Sequence, residues 1–92
     1  MIHVEGKVFL RGGEKIGWVA DNDFYDKSGR KLGYFQGNDI FDADGKKIAW
    51  MASSHAHTVD GGRFSFEENR NVITGGLLSN EERAAARILF GE

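Results

Sequence analysis

A repeat of sixteen residues is the feature of this sequence that most constrains its fold. Residues 16–31 (IGWVADNDFYDKSGRK), 32–47 (LGYFQGNDIFDADGKK) and 48–63 (IAWMASSHAHTVDGGR) align without gaps. The first two of these share six identical residues, whereas unrelated segments of this length share about one. Residues 1–15 form a weaker first copy, in which Phe9 aligns with Tyr25, and residues 64–67 begin a fifth. So short a period predicts one supersecondary unit repeated four times.

Two kinds of turn sequence in each copy predict that the unit is a β-hairpin. Three-residue loops ending in glycine are typical of a type I turn followed by a glycine bulge. Two-residue junctions rich in Asn and Gly tolerate the left-handed backbone of a tight hairpin. The loops are residues 11–13, 27–29, 43–45 and 59–61, and the junctions are residues 5–6, 21–22, 37–38 and 53–54. Ser53-Ser54 fits least well, so we expect the last copy to turn differently.

Apolar residues on both sides of the predicted strands indicate that both faces of the sheet need covering. One face could close on itself as a barrel or ring, and the second requires a helix or a partner. A small residue recurs at one position of the first strand, which predicts close backbone approach or an aromatic ring lying over it. The residues at this position are Gly17, Gly33, Ala49 and Ser65. Because open sheets leave unpaired edges, we expect residues 64–67 to pair with residues 1–4 and close the ring.

The end of the chain carries the signals of a helix. Ser79 begins a capping box with Glu82, an alanine-rich amphipathic segment follows, and Gly91 is a typical stop. The 92 residues are therefore predicted to form one all-β domain: four hairpins over residues 1–67 in a pseudo-fourfold, flower- or barrel-like arrangement, a loop over 68–78 and one α-helix over 79–90.

Composition narrows the classes of partner. A net charge of −2 without a basic patch gives no reason to expect nucleic acid or an anionic membrane as a partner. The absence of cysteine excludes disulfides and thiolate metal sites and favours a reducing compartment. Since no signal peptide or membrane-spanning segment is apparent, we expect a cytoplasmic protein.

The residues that the copies share resemble the bacterial four-fold beta-flower family. They are Gly17, Trp18, Asn22, Asp23, Tyr25, Asp26, Gly29 and Lys31, each with an identical or similar counterpart sixteen residues later. The resemblance covers about residues 1–67. It implies hairpins arranged like petals about a pseudo-fourfold axis, and it implies no activity or site residue. Residues 17–22 also resemble the opening of a choline-binding repeat, but those repeats are longer and carry paired aromatics after the turn.

Two histidines in the fourth copy depart from the repeat. His55 and His57 lie two residues apart on a predicted strand, so both rings project from the same face and could bind one metal ion. In the repeat register they replace Lys7 and Phe9, Asp23 and Tyr25, and Asp39 and Phe41. If equivalent positions lie near a fourfold axis, Asp23, Asp39 and His55 form a polar ring with Lys7 that could hold a metal ion or an anion. Otherwise these residues lie on the outer rim in solvent.

Trp18, Tyr34 and Trp50 form a repeated aromatic set. In exposed positions they would be a stacking platform for a sugar or a peptide, and in buried positions they would be the core. A domain this small needs its large side chains inside, so we expect the core. Residues 42–45, Asp-Ala-Asp-Gly, resemble the start of a calcium loop, but the further acidic ligands are missing and a hairpin turn accounts for them.

Three functional hypotheses from different classes follow. The first is a non-enzymatic structural or interaction module without a cofactor, which forms a homo-oligomer or binds a protein partner through the second apolar face or the C-terminal helix. The second is a small-ligand or metal-binding protein that uses the face of His55 and His57. The third is an enzyme, for which no nucleophile elbow, phosphate loop or paired-carboxylate motif is present.

Overall fold

The computed structural model describes residues 1–92. It contains two helices and a single sheet of ten strands. The strands are β1 (Ile2–Glu5), β2 (Val8–Arg11), β3 (Glu14–Ala20), β4 (Asp23–Asp26), β5 (Lys31–Gln36), β6 (Asp39–Asp42), β7 (Lys47–Ala52), β8 (His55–Thr58), β9 (Arg63–Ser65) and β10 (Ile73–Thr74). The helices are α1 (Phe66–Asn69) and α2 (Asn80–Phe90). Strands β1 to β9 pair antiparallel in sequence order, and β10 pairs with β1 in parallel. The predicted all-β fold of four hairpins with a C-terminal helix is confirmed.

The glycine loops have the predicted bulge geometry in three of the four copies. In the loop after β4, the Asp26 amide donates to the Arg30 carbonyl at 2.9 Å and the Gly29 amide donates to the Asp26 carbonyl at 3.0 Å. The loops after β6 and β8 repeat this pattern at Asp42 and Thr58. Gly29 has a φ of 90°, which a residue with a Cβ adopts only under strain. Turn chemistry alone was therefore enough to locate these hairpins.

The first copy differs from the others by one residue. Arg11 pairs with Glu14, so its loop is the two-residue turn Gly12-Gly13, and its other turn is Gly6-Lys7 rather than residues 5–6. Consequently Phe9 corresponds to Phe24 and not to Tyr25, and the predicted alignment of this copy is wrong. The true counterparts of Asp23 and Tyr25 in the first copy are Val8 and Leu10.

The turn at Ser53-Ser54 is of the same kind as the turn at Asp21-Asn22. Both residues of each turn are left-handed, with φ values of 52° and 65° at the serines and 50° and 71° at Asp21 and Asn22. The expectation of a different turn in the last copy is wrong. Ala52 pairs with His55, so only two residues remain for the turn. This imposes the left-handed backbone on the serines, which favour it less than Asn or Gly does.

The ring is not closed by residues 64–67, contrary to our expectation. β9 pairs only with β8, and the sheet ends there. Ser65 is the N-cap of α1 and forms a capping box with Glu68, which turns the chain out of the strand. The free edge of β1 is covered instead by β10, with Ile2 opposite Ile73. The segment 68–78, predicted as a loop, thus includes the end of α1 and a short strand.

α2 covers one face of the sheet, here named the inner face; the opposite one is the outer face. Three consecutive helical alanines, Ala84 to Ala86, are fully buried against core residues of the strands. A Cβ added at Gly17 would overlap the Tyr25 carbonyl oxygen and lie 2.7 Å from the Phe90 ring, and one at Gly33 would lie 2.7 Å from Leu89. The predicted close approach at the small residues is therefore real at these two glycines. On β9, however, the residue on the inner face is Phe64 rather than Ser65.

Both ends of α2 are capped as the sequence predicts. The Ser79 side chain accepts from the Glu82 amide at 3.0 Å, and Gly91 adopts the left-handed conformation with a φ of 74°. Beyond the helix, Glu92 accepts two hydrogen bonds from the Arg11 guanidinium, at 2.6 and 3.1 Å, which ties the helix to the first hairpin. Neither helix is long and apolar enough to cross a membrane.

Candidate functional site

The outer face carries three successive rows of side chains, and in each row two rings are followed by a basic residue. Each row crosses four neighbouring strands through directly paired residues. The rows are Val8, Trp18, Tyr25 and Lys31; Asp23, Tyr34, Phe41 and Lys47; and Asp39, Trp50, His57 and Arg63. Two adjacent ring side chains thus lie between an acidic residue and a basic residue in the second and third rows. We call the six ring side chains Trp18, Tyr25, Tyr34, Phe41, Trp50 and His57 the aromatic ladder.

Each hairpin of the ladder contributes one stacked pair of rings. The two-residue turns place the members of a pair opposite one another on adjacent strands. The ring centroids are 5.4 Å apart in Trp18 and Tyr25, 5.0 Å apart in Tyr34 and Phe41, and 5.4 Å apart in Trp50 and His57, with interplanar angles of 21°, 17° and 12°. Such cross-strand pairs stabilise a hairpin by about 0.5–1.5 kcal/mol beyond the area that they bury.

Lysine side chains lie over the other side of the same rings. The Lys31 Nζ is 4.7 Å from the centroid of Tyr34 and 3.1 Å from Asp23, which is the partner of Tyr34 on β4. Phe41 contacts Tyr34 from β6, so the Tyr34 ring lies between a cation and a second ring. Lys47, Asp39 and His57 surround Trp50 in the same way, with the lysine 5.6 Å from the ring and 3.1 Å from the carboxylate. The Tyr34 and Trp50 rings thus each have a lysine on one side and a stacked ring from the next strand as neighbours.

Trp18, Tyr34 and Trp50 are not part of the core, contrary to our expectation. All three are half-buried on the outer face, whereas the buried aromatic rings are Phe9, Phe24 and Phe64. The inner volume is filled instead by these phenylalanines, by aliphatic residues and by α2. A sugar stacking platform needs an accessible ring plane, which the lysines and paired rings cover. The ladder is better suited to packing against another protein surface.

The two histidines do share a face, as predicted, but no third ligand accompanies them. Their ring centroids are 6.3 Å apart; His57 is stacked on Trp50, and the His55 Nδ1 lies 3.0 Å from the Ser53 carbonyl oxygen. No group of three or more His, Asp or Glu side chains is arranged to hold a metal ion.

The polar ring of Asp23, Asp39, His55 and Lys7 is therefore not assembled. Asp23 lies on β4 and Asp39 on β6, and each is paired with the lysine of the following strand. Lys7 lies in the first turn, and the residue equivalent to His55 in that copy is Val8. The one-residue difference in the first copy thus excludes Lys7 from the predicted ring. The carboxylates of Asp23 and Asp39 form salt bridges with Lys31 and Lys47 instead.

The aspartates of the glycine loops serve the turns. The Asp26 carboxylate accepts from the Ser28 hydroxyl at 2.6 Å and from the Ser28 and Arg30 amides at 2.9 and 3.0 Å. These hydrogen bonds, that of the Ser28 hydroxyl above all, hold the pKa of Asp26 below its ordinary value. Asp42, the first residue of the calcium-loop-like segment, accepts in the same manner from the amides of Asp44 and Lys46. The Asp42 Oδ1 atom thus already accepts two hydrogen bonds within the hairpin loop.

Two of the six ladder residues, Tyr25 and Phe41, were missing from the residues predicted to form a site, as were the lysines beside them. Tyr25, Phe41 and the lysines Lys31 and Lys47 recur in the sequence at the sixteen-residue period, and the two lysines are identical between copies. That recurrence was the available signal. The recurrence alone does not show that these residues meet, because the partner of each ring is decided by the cross-strand register, which depends on the turn type.

The fold and the ladder define a class of protein in which successive repeated hairpins form one sheet over a single helix. The chain matches the family model described as 4-fold beta flower protein over residues 2–78, and it belongs to that family. The resemblance seen in the repeat is confirmed. No match was found among the curated proteins or the solved structures. The family description names a fold and no activity.

Proposed function

We propose that the protein is a non-enzymatic interaction module that forms a homo-oligomer through the outer face of its sheet. The observation that carries the proposal is the aromatic ladder: six ring side chains in contiguous rows, none of them buried and none covered by α2. Contiguous, partly exposed rows of rings bordered by charged residues are typical of protein interaction surfaces, which are enriched in Tyr and Trp. The proposal includes the cytoplasmic location expected from the sequence.

The charges along the rows favour a second copy of the chain as the partner. The second row runs from Asp23 to Lys47 and the third from Asp39 to Arg63, so each row has an acidic end and a basic end. When a twofold axis lies across the rows, each row meets its mate in reversed direction, so its acidic end faces a basic end. Asp23 and Asp39, which are paired with Lys31 and Lys47 within one copy, then share these contacts with basic residues of the second copy, and the rings supply the apolar contact.

Sedimentation velocity over a concentration series tests the proposal. We expect the wild-type protein to pass from monomer to dimer with increasing concentration. Replacing Tyr34 and Trp50 together by threonine keeps β-propensity while removing two large rings, and we expect the dissociation constant to rise at least about tenfold. Val59→Thr is the matched control, because Val59 is an exposed apolar residue in a turn outside the ladder.

Two results would overturn the proposal. One is a wild-type protein that stays monomeric throughout the concentration series. The other is a Tyr34→Thr, Trp50→Thr variant that is folded by circular dichroism and dimerises as tightly as the wild type, because the interface would then lie elsewhere.

A further inference from the structure

A cavity far from the aromatic ladder brings two arginines together. It lies beside the segment that joins β10 to α2, and its volume is about 410 Å³. Its lining residues are Arg70, Gly75, Gly76, Leu77, Leu78 and Arg83. The wall is therefore made of two guanidinium groups, two leucines and glycine backbone, with no acidic side chain among them.

Arg83 forms one side of the cavity and holds the connecting segment in place. Its guanidinium donates to the carbonyl oxygens of Leu78 at 3.2 Å, Ile73 at 2.9 Å and Gly76 at 3.1 Å. Three of its five N–H groups are thereby used, and two remain. Partial burial, followed by the positive charge of Arg70, lowers the pKa of Arg83 from its ordinary value, and Glu82 offsets part of this effect.

Arg70 forms the other side and has no comparable structural task. The side chain is exposed, and its Nε and one terminal nitrogen both donate to the Asn80 side-chain oxygen at 3.2 Å. That contact fixes the orientation of the guanidinium and leaves three of its five N–H groups unused. Neither Arg70 nor Arg83 forms a salt bridge, because the four salt bridges of the protein involve other residues.

Packing explains the two glycines of the cavity but not the arginine pair. A Cβ at Gly75 would lie 2.8 Å from the His3 Nδ1, and a Cβ at Gly76 would lie 2.7 Å from Val4, so both glycines are required by the close passage of the segment over β1. The two neighbouring cations, in contrast, repel one another, and Glu82 offsets only part of that effect at Arg83; an anion between them would offset the rest. Arginine is the side chain best suited to bind carboxylate or phosphate through two parallel hydrogen bonds.

We propose that this cavity binds a small organic anion whose carboxylate or phosphate group lies between Arg70 and Arg83. The unused N–H groups of the two guanidinium groups donate to its oxygens. Leu78, which is half-buried at the wall, contacts the apolar part of the ligand. Leu77 is fully exposed at the mouth of the cavity and contacts the same part. This site is independent of the outer face and of the oligomeric state.

Nuclear magnetic resonance titration of the full chain tests the proposal with three probes that share a phenyl ring. Phenyl phosphate and benzoate carry the two anionic groups, and benzyl alcohol carries no charge. We expect saturable shifts of the Gly75 and Gly76 amides and of the Arg70 Nε–H with at least one anion and not with the alcohol. The anion that binds more tightly identifies the group that the site prefers. Ionic strength is held constant, because exposed charge interactions are screened by salt.

Variants of Arg70 separate a built site from general charge attraction. Arg70→Gln removes a cation whose side chain is hydrogen-bonded only to Asn80, and we expect it to weaken binding at least about tenfold. Arg30→Gln removes the same charge from an exposed turn elsewhere and should leave binding unchanged. The proposal is overturned if no probe gives a saturable shift up to about 10 mM. It is likewise overturned if a folded Arg70→Gln protein binds as tightly as the wild type, or if Arg30→Gln weakens binding equally.

Discussion

The inner and outer faces of the sheet are formed by the same repeats, yet their residues follow different patterns. On the inner face, a large residue pairs with a small one, and the order of large and small is reversed in the last pair. The pairs are Phe9 with Gly17, Phe24 with Gly33, Ile40 with Ala49, and Ala56 with Phe64. On the outer face the rows repeat by residue type, with ring against ring and cation after ring.

The difference follows from what each face contacts. On the outer face every hairpin meets only the hairpins beside it, so one solution serves each copy and the repeat persists. On the inner face all copies meet one helix, which has no fourfold symmetry. Phe90 contacts Phe9 and Phe24, with ring centroids 5.0 and 6.5 Å away, while small side chains are needed where the helix comes closer. Close packing therefore requires the inner residues to diverge between copies.

The largest expected contrast between the faces is at two adjacent residues of β4. Phe24 is fully buried on the inner face, and Tyr25 is half-buried on the outer face. We expect Phe24→Ala to lower the free energy of unfolding by about 4 kcal/mol, because it leaves a cavity beneath the helix. Tyr25→Ala removes mainly the stacking on Trp18 and should cost about 1 kcal/mol. Urea denaturation measures both, and equal losses would contradict the assignment of the faces.

A smaller but still large effect is expected where the sheet receives the helix. Gly17→Val places side-chain atoms where the Tyr25 carbonyl oxygen and the Phe90 ring already lie, so we expect a loss of about 3 kcal/mol. Ala20→Val adds two methyl groups to an exposed position of the same strand and should change stability by less than about 0.5 kcal/mol. Thermal or urea denaturation measures the two variants. A stable Gly17→Val protein would contradict the close approach of both β4 and α2 to this position.

The smallest effect concerns the turns that join neighbouring strands. Because the folded state lowers the pKa of Asp26, its carboxylate contributes stability above the ordinary aspartate pKa of about 3.9, and this contribution is lost as the pH falls through the lowered value. Asp26→Asn should therefore be less stable than the wild type at pH 7 and should lose less stability on acidification to about pH 2. Melting temperatures across this range measure the effect. Equal acid sensitivity of the wild type and Asp26→Asn would contradict the role of Asp26.

Local chemistry made most of the fold predictable. The last three glycine loops, the capping box at Ser79 and the stop at Gly91 each depend on a few neighbouring residues, and these were located from the sequence. α1 was missed although Ser65 and Glu68 have the spacing of a capping box, because the repeat led us to expect a continued strand. β10 has only two residues and gains its partner from the far end of the chain, so no local pattern indicates it.

The candidate site was less predictable, for two physical reasons. The one-residue shortening of the first loop changed which residues are equivalent, and register decides which side chains meet. The positions of Trp18, Tyr34 and Trp50 depended on which face receives the helix, which the alternation of apolar residues on both faces does not decide. Arg70 and Arg83 meet only because α1 and α2 pack together, a contact between segments without any sequence pattern in common.

The fluorescence of the protein reports on the outer face alone, because its two tryptophans, Trp18 and Trp50, both belong to the aromatic ladder. Acrylamide quenching measured from dilute to concentrated protein therefore tests the central claim directly. If two copies associate through the ladder, the quenching constant falls as the dimer forms, in step with the sedimentation coefficient. A quenching constant that stays the same while the protein dimerises, or while it remains monomeric at every concentration, would contradict the claim.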